Sequence, residues 1–214
     1  MYQNKKMAYN GELHGKITFM DNTVGSLTNI ERSIIIGSVL GDGYMRIIPG
    51  RNNAFLEINH SLKAKEYVDY KYQSLKRLVE SSPKERTMNE GRSAYRFFTK
   101  QHIDITHIYE EFYKNGKKVI PKYLKLNPLI MAIWYMDDGS KSRDRDIYLN
   151  TQQFSLNNQK RLLYLLREMG VKARLNKDKK YYRIRLLKES VGDFMKIISP
   201  HVCPSMEYKL VMTP

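Results

Sequence analysis

The chain has 214 residues, of which 42% are hydrophobic, enough for one large core or two small ones. Its 37 lysines and arginines exceed the 22 acidic residues, and the net charge of +15 favours a polyanionic partner such as nucleic acid. The single cysteine, Cys203, excludes an internal disulfide and a cysteine-cluster zinc site, and none of the five histidines lies in an HExxH pattern. A protein with an ordinary solvated basic surface has the same composition, so the motifs must decide.

Two predicted helices end in the same way. The first begins at a capping box formed by Thr28 and Glu31, continues through the apolar "IIIGSVL" run, and ends at "GDG". The second begins at Asn127, has Pro128 at its first position, and ends at "DDG". Residues 1–27 show little periodicity, and we treat them as an N-terminal extension.

The same succession of elements follows each of these helices. It consists of a basic hairpin, an amphipathic helix, a tyrosine- and arginine-rich strand, another helix and a lysine-bearing segment with a proline. This order predicts an internal duplication with halves at residues 28–122 and 123–214. We expect an α+β fold of two αββαββα repeats related by a pseudo-twofold axis. The two antiparallel sheets would form an open, basic saddle, with the two helices packed at the interface between the repeats.

The two helix ends each carry an aspartate, Asp42 and Asp138. Gly37 and Gly41 leave one stripe of the first helix almost without side chains, and Ala132 is small on the second, so the helices can pack closely. The two carboxylates would then share one space, which favours a divalent cation such as Mg²⁺ or Mn²⁺. The alternative is that both segments are ordinary Asp-Gly turns.

The segments "IIGSVLGDG" and "MAIWYMDDG" resemble the two signature helices of LAGLIDADG homing endonucleases, most closely the single-chain, two-motif, intron-encoded type. The resemblance implies a monomer that cuts both strands of DNA at a long, asymmetric target. It implies that Asp42 and Asp138 bind divalent metal, and the predicted metal set also includes the preceding residues Gly41 and Asp137. One lysine per half would lie near the metals, at Lys118 and Lys209, with Lys117 as the alternative to Lys118.

The first motif departs from the family pattern by carrying Gly41 where alanine is usual, and the second carries Ile133 where the first has Gly37. Neither change removes a predicted metal ligand. The bulkier Ile133 and its neighbour Trp134 leave open only how closely the two helices pack.

Alternation along the strands predicts which side chains face DNA, because a two-stranded ribbon fits the major groove. With Met45, Ile47, Leu56 and Ile58 facing the helices, the DNA-facing residues of the first half are Tyr44, Arg46, Ile48, Glu57, Asn59 and Arg96, with Arg51 in the hairpin loop. Those of the second half are Lys141, Arg143, Tyr148, Asn150, Gln152, Lys172, Arg174, Arg183 and Arg185. A register error of one residue would reverse these assignments.

Two other functions remain open. A maturase would bind the RNA of its own group I intron and assist its splicing. A DNA-binding regulator would keep the saddle without catalysis, and the loss of an aspartate or lysine would be its sign, which the sequence does not show. No apolar run is long enough for a membrane span and the start has no secretion signal, so we expect a protein inside an organelle (mitochondrion or chloroplast) or a microbial cytoplasm.

Overall fold

The computed structural model describes residues 26–87, 93–142 and 146–210. The predicted N-terminal extension, apart from its last two residues, therefore lies outside the described residues. Among the described residues, no helix is both long and apolar enough to cross a membrane.

The first part of the chain contains three helices and six strands. They are α1 (Asn29–Leu40), β1 (Tyr44–Ile47), β2 (Ala54–Ser61), α2 (Lys65–Leu75), β3 (Lys84–Thr87), β4 (Ser93–Phe98), α3 (Ile103–Phe112), β5 (Tyr113–Lys114) and β6 (Lys117–Lys118), with 3-10 turns at Leu62–Ala64 and Lys76–Leu78. The capping box predicted at Thr28 is present, since its side chain accepts from the Glu31 N–H and the Glu31 carboxylate accepts from the Thr28 N–H.

The rest of the chain repeats this order. Its elements are α4 (Pro128–Asp138), β7 (Gly139–Ser142), β8 (Asp146–Leu149), α5 (Leu156–Glu168), β9 (Ala173–Asp178), β10 (Tyr181–Leu186) and α6 (Lys188–Ile198), followed by 3-10 turns at Ser199–His201 and Pro204–Lys209. Asn127 caps α4 by accepting the Ile130 N–H, and Pro128 occupies the first turn, as predicted.

Each half contributes one four-stranded antiparallel sheet. The strand orders, β1-β2-β4-β3 and β7-β8-β10-β9, are topologically identical, which confirms the predicted α+β fold with a repeated unit. The predicted facing of the first hairpin is also correct, because Met45, Leu56 and Ile58 are fully buried while Tyr44 and Arg46 are exposed.

Helices α1 and α4 pack directly against each other, and equivalent motif positions meet across the interface. A Cβ atom added to Gly37 would lie 2.7 Å from the Cβ of Ile133, and one added to Gly41 would lie 2.4 Å from the Cβ of Asp137. In both pairs the residue on α1 has no side chain and its counterpart on α4 fills the space. The presence of Ile133 therefore does not separate the helices, because Gly37 accommodates it.

Helix α3 ends at Phe112, although the segment "DITHIYEEFYKNG" (residues 104–116) has a helical pattern throughout. Asn115 and Gly116 both have positive φ, of 52° and 72°, which forms a two-residue hairpin turn between β5 and β6. The turn has a consequence for the site, because it returns the chain so that Lys118 points toward the end of α1.

Aromatic side chains in and next to α2 and α3 pack in the core. Tyr67, Phe112 and Tyr113 are buried, and Tyr70 and Tyr109 pack against the core from partly exposed positions. These side chains therefore pack beneath the sheets, and other side chains form the outer sheet faces.

Candidate active site

The ends of α1 and α4 meet at one place. Asp42 lies just beyond the last residue of α1, and Asp138 is the last residue of α4. The side-chain amide of Gln153 contacts both ends, with Nε2 3.3 Å from Asp138 Oδ2 and 3.4 Å from the Gly41 carbonyl oxygen. The helix ends that carry the two predicted aspartates are thus linked by a single amide group.

The electrostatics of this place disfavour two uncompensated carboxylates. Burial, together with the negative charges of Asp42 and Asp137, raises the pKa of Asp138 to about 7. Burial and the charge of Asp137 also raise the pKa of Asp42, whose side chain is 48% exposed. A cation beside these carboxylates would relieve the repulsion, so the donor set fits a hard divalent ion.

Each predicted lysine contacts the helix end of its own half. Lys118 Nζ donates to the Gly41 carbonyl at 2.8 Å, and Lys209 Nζ donates to the carbonyls of Met136 at 2.6 Å and Gly139 at 3.0 Å. Burial lowers the pKa of Lys118 to about 8, although the nearby aspartates oppose the shift, and burial also lowers the pKa of Lys209. Lys117 is exposed, so the geometry favours Lys118 of the two candidates.

A buried polar cluster next to Asp42 was not predicted. Lys71 and Asp137 are both 0% exposed, and Lys71 Nζ donates to the two carboxylate oxygens of Asp137 at 2.7 and 3.0 Å. The hydroxyl of Tyr67 donates to Asp137 Oδ1 at 2.8 Å. The backbone N–H of Asp42 donates to Asp137 Oδ2 at 3.3 Å. Both oxygens of Asp137, predicted as a metal ligand, therefore already accept hydrogen bonds from the protein.

His60 completes this cluster. Its Nδ1 lies 3.6 Å from Asp42 Oδ2 and its Nε2 lies 3.7 Å from Asp137 Oδ1. Burial and the charge of Lys71 lower the pKa of His60 to about 4, so the ring is neutral at pH 7. Its Nε2 is buried with no hydrogen-bond partner. One ligand atom from each of Asp42, His60 and Asp137 lies within 4.8 Å of the others, so His60 joins the residues that could hold a metal.

The outer face of the first sheet combines cations with apolar groups. The exposed residues Tyr44, Arg46 and Asn59 have the outward parity of the strands, Ile48 follows β1, and Arg51 is exposed in the hairpin loop. Arg46 lies over the ring of Phe55, 5.2 Å from its centroid. Arg96 lies 5.0 Å from the ring centroid of Phe98 and 3.6 Å from the Glu57 carboxylate. Phe55 and Phe98 were absent from the predicted set, although their strand positions have the outward parity.

The outer face of the second sheet is organised around paired arginines. Arg183 lies 4.0 Å from the ring centroid of Tyr148, which is 7% exposed, so this predicted contact residue is covered by an arginine. Arg183 also approaches the carboxylate of Asp178 and lies 3.5 Å from the side-chain oxygen of Asn150. Gln152 donates to the same Asp178 carboxylate, and Arg185 pairs with Asp146. Lys141, Lys172 and Arg174 are exposed, whereas Arg143 lies outside the described residues. Tyr182 is 39% exposed, although it has the same strand parity as the buried Ile184.

The fold is similar to a solved structure. The homing endonuclease I-WcaI bound to its DNA recognition sequence superposes with a TM-score of 0.79 at 24% identity, over 88% of this chain and 89% of that one. At this identity the likeness shows the fold alone.

Three of the sequence relatives are named as mRNA maturases or as an intron-encoded endonuclease. Cytochrome b mRNA maturase bI2 of Saccharomyces cerevisiae is 33% identical over 89% of this chain and 49% of its own length, and the Debaryomyces hansenii protein of the same name is 35% identical over 58% and 50%. This chain thus spans about half the length of these relatives. The probable intron-encoded endonuclease 1 of Wickerhamomyces canadensis is 28% identical over 87% of this chain and 86% of its own.

The family model described as the LAGLIDADG DNA endonuclease family matches residues 32–194, which include most of α1, all of α4 and both four-stranded sheets. The predicted family is therefore confirmed, and the chain is a member of the LAGLIDADG DNA endonuclease family.

Proposed function

We propose that this chain is a site-specific DNA endonuclease that hydrolyses one phosphodiester bond in each strand of a long, asymmetric target. The observation that carries the proposal is the meeting of Asp42 and Asp138, whose helix ends lie within reach of the same Gln153 amide. A lysine from each half, Lys118 and Lys209, lies at the same place. One chain supplies both halves of this arrangement, so we propose that it acts as a monomer.

The residues fit a bound divalent cation, Mg²⁺ or Mn²⁺. Asp42 and Asp138 would hold it, because burial and neighbouring negative charge, from Asp137 in both cases, raise the pKa of each carboxyl group and a cation would relieve that repulsion. The imidazole of His60 adds a nitrogen donor. When bound, such a metal ion polarises a phosphate oxygen and makes a bound water more acidic. Gly41 would contribute through its carbonyl, which already accepts from Lys118, and Asp137 is the weakest candidate because its oxygens are occupied.

The two lysines would act on the phosphate electrostatically, apart from the metal ion. Lys118 and Lys209 each place an ammonium group at the helix end where a scissile phosphate would lie. A cation held there in a partly buried setting stabilises the additional negative charge of a pentavalent phosphorane-like transition state. Their anchoring by backbone carbonyls keeps them in position before DNA arrives, so little reorganisation is needed.

The two sheet faces would bind the two halves of the target in the major groove. Their chemistry differs, since the first face presents Ile48 and Phe98 beside its arginines, and the second presents arginines paired with Asp146 and Asp178. Apolar groups can contact thymine methyls, while guanidinium groups bind guanine or phosphate. Unequal faces on one chain favour a target without palindromic symmetry.

The experiment compares Asp42→Asn and Asp138→Asn with Asp193→Asn. The first two should lose cleavage of a target recovered from a randomised DNA library, while binding of that target in EDTA stays within about threefold of the parent. Asp193 is a matched control, because its side chain is 68% exposed on α6, and its variant should cut normally. Cleavage by either site variant at the parental rate in Mg²⁺ would refute the proposed centre.

A second candidate function is that of a maturase that binds the group I intron RNA encoding it. The names of the two relatives from S. cerevisiae and D. hansenii favour it. The test is splicing of the intron in vitro with the Asp42→Asn/Asp138→Asn protein. Splicing by this variant, together with no DNA cleavage by the parent, would establish the maturase in place of the nuclease.

We also propose that the protein resides in an organelle or a microbial cytoplasm. The two halves of the duplication are proposed to span residues 28–122 and 123–214.

A further inference from the structure

The two helix ends of the site differ in length. Asp138 is the last residue of α4, but α1 ends at Leu40, so Asp42 lies two residues beyond its helix. The N–H of Asp42 therefore lies past the helical hydrogen-bonding pattern, and it donates instead to the side chain of Asp137 on the opposite helix. The placement of Asp42 depends on a residue of the other half.

The packing of α1 against α4 allows a side chain of the opposite helix to accept from the backbone of Asp42 but not from that of Asp138. Asp137 and Gly41 occupy the same position of the two motifs, and a Cβ atom added to Gly41 would lie 2.4 Å from the Cβ of Asp137. The Asp137 side chain thus fills the space that the missing Gly41 side chain leaves. Since the two positions face each other, a carboxylate at one requires a very small residue at the other. Gly41 therefore cannot give the Asp138 backbone the side-chain acceptor that Asp137 gives the Asp42 backbone.

The groups that hold Asp137 are likewise found on one side. Lys71 and Tyr67 on α2 donate to its carboxylate, and both are fully buried. The buried residues of the corresponding helix α5 are Gln159, Leu162, Leu165 and Leu166, none of them charged. Thr151, buried just beyond the end of β8, follows Asn150 as His60 follows Asn59 on β2. The polar cluster is therefore an asymmetric feature of a pseudosymmetric site.

Stability alone does not account for this cluster. Burial removes the hydration of both charges, and a packed apolar pair of similar volume stabilises a protein at least as well as a buried ion pair does. The ion pair provides one group that an apolar pair lacks. This group is the carboxylate oxygen of Asp137 that accepts a hydrogen bond from the Asp42 N–H.

We infer that Lys71, Tyr67 and Asp137 form a positioning group for Asp42 but not for Asp138, so that cleavage of the two DNA strands depends on different residues of the chain. The inference rests on the proposed endonuclease function and deepens it. Asp137 acts here as the acceptor for the Asp42 backbone, and Lys71 and Tyr67 fix the orientation of its carboxylate.

The test compares two double variants that both remove the charges. Lys71→Met/Asp137→Leu removes the acceptor as well, while Lys71→Met/Asp137→Asn keeps an amide oxygen that can accept from the Asp42 N–H. The substrate is the selected DNA target with a different fluorophore on each strand, cut in Mg²⁺. The Leu form should slow cleavage of one strand about tenfold more than cleavage of the other, so that nicked DNA accumulates. In the Asn form, the ratio of the two cleavage rates should return to within about threefold of the parental ratio.

A readout independent of cleavage accompanies the assay. Amide hydrogen exchange of the segment Gly41–Tyr44 in the metal-free protein should be faster in the Leu form than in the Asn form, with α4 unchanged. Equal slowing of both strands, or the same strand ratio in both double variants, would overturn the inference and leave the cluster a purely structural one.

A variant that does not fold can be distinguished from a failure of the inference and from a failure of the proposed function. If the Leu form shows no cooperative unfolding transition, Tyr67→Phe tests the inference instead, because it removes one hydrogen bond to Asp137 without burying an unpaired charge. It should shift the strand ratio about threefold in the same direction, and equal slowing of both strands would refute the positioning role. A parent protein that binds the target and cuts neither strand refutes the proposed function itself, a result distinct from both.

Discussion

Substitution of Gly37 by alanine tests whether the two signature helices pack as closely as described. An added Cβ would lie 2.7 Å from the Ile133 Cβ and 2.9 Å from the Ile130 carbonyl oxygen. Ordinary contact begins near 3.4 Å, so α1 and α4 would have to separate by 3.4 − 2.7 = 0.7 Å or distort locally. Neither neighbouring atom is the flexible end of a side chain, and the strain cannot be relieved by a change of rotamer.

Two opposing effects decide the sign of the change. Replacing glycine by alanine within a helix stabilises it by about 1 kcal/mol, whereas overpacking a close interface costs about 1–3 kcal/mol. The short distances involve backbone and Cβ atoms, so we expect the overpacking cost to lie at the upper end. The free energy of unfolding of Gly37→Ala should therefore fall by about 1–2 kcal/mol, which corresponds to a decrease in Tm of about 2–8 °C.

Gly192 provides the matched control. It also lies within a helix, α6, but an added Cβ meets no atom within 4 Å. Gly192→Ala should stabilise the protein by about 1 kcal/mol, since only the helix propensity changes. Urea unfolding of both variants and the parent measures the two shifts. Stabilisation of Gly37→Ala to the same extent as Gly192→Ala would refute the close packing of α1 against α4.

Two further predictions concern single side chains. Lys118→Met should lower kcat at least tenfold with DNA binding nearly unchanged, whereas Lys117→Met, at the exposed neighbouring position, should change kcat less than threefold; equal effects would reject the assignment of Lys118. Burial raises the pKa of Glu31, but hydrogen bonds from Arg77 and Thr28 outweigh burial and leave the pKa below the usual value of 4.5. This pair therefore contributes stability above the unfolded-state pKa that is lost as pH falls through the lower folded-state pKa. Glu31→Gln should cost ~1 kcal/mol at pH 7 and progressively less toward about pH 3 in urea unfolding, and a cost independent of pH would exclude the carboxylate as its source.

Features set by local chemistry could be predicted from the sequence. The capping box at Thr28 and Glu31, and the Asn127 cap followed by Pro128, placed the starts of α1 and α4 correctly, because each depends on neighbouring residues alone. The alternation of Met45, Leu56 and Ile58 likewise identified the buried side of the first hairpin. The repeated order of these local elements then led to the fold.

Features that depend on tertiary contacts could not be predicted in the same way. Lys71 occupies a buried stripe with Tyr67, Val68 and Leu75, so the pattern of α2 contained a signal. The signal could not be interpreted without the partner, Asp137, which lies 66 residues away in sequence. His60 was set aside for the same reason, since an isolated histidine in a strand gives no sign that two aspartates from other elements approach it.

The proposed endonuclease function requires that Asp42 and Asp138 bind metal together at the junction of α1 and α4. Anomalous diffraction from crystals of the protein with its DNA target and Mn²⁺ measures this directly. We predict an anomalous peak within coordinating distance of a carboxylate oxygen of each of these two aspartates and adjacent to a phosphate group. Manganese peaks only elsewhere on the protein, with both carboxylates free of metal beside intact DNA, would contradict it.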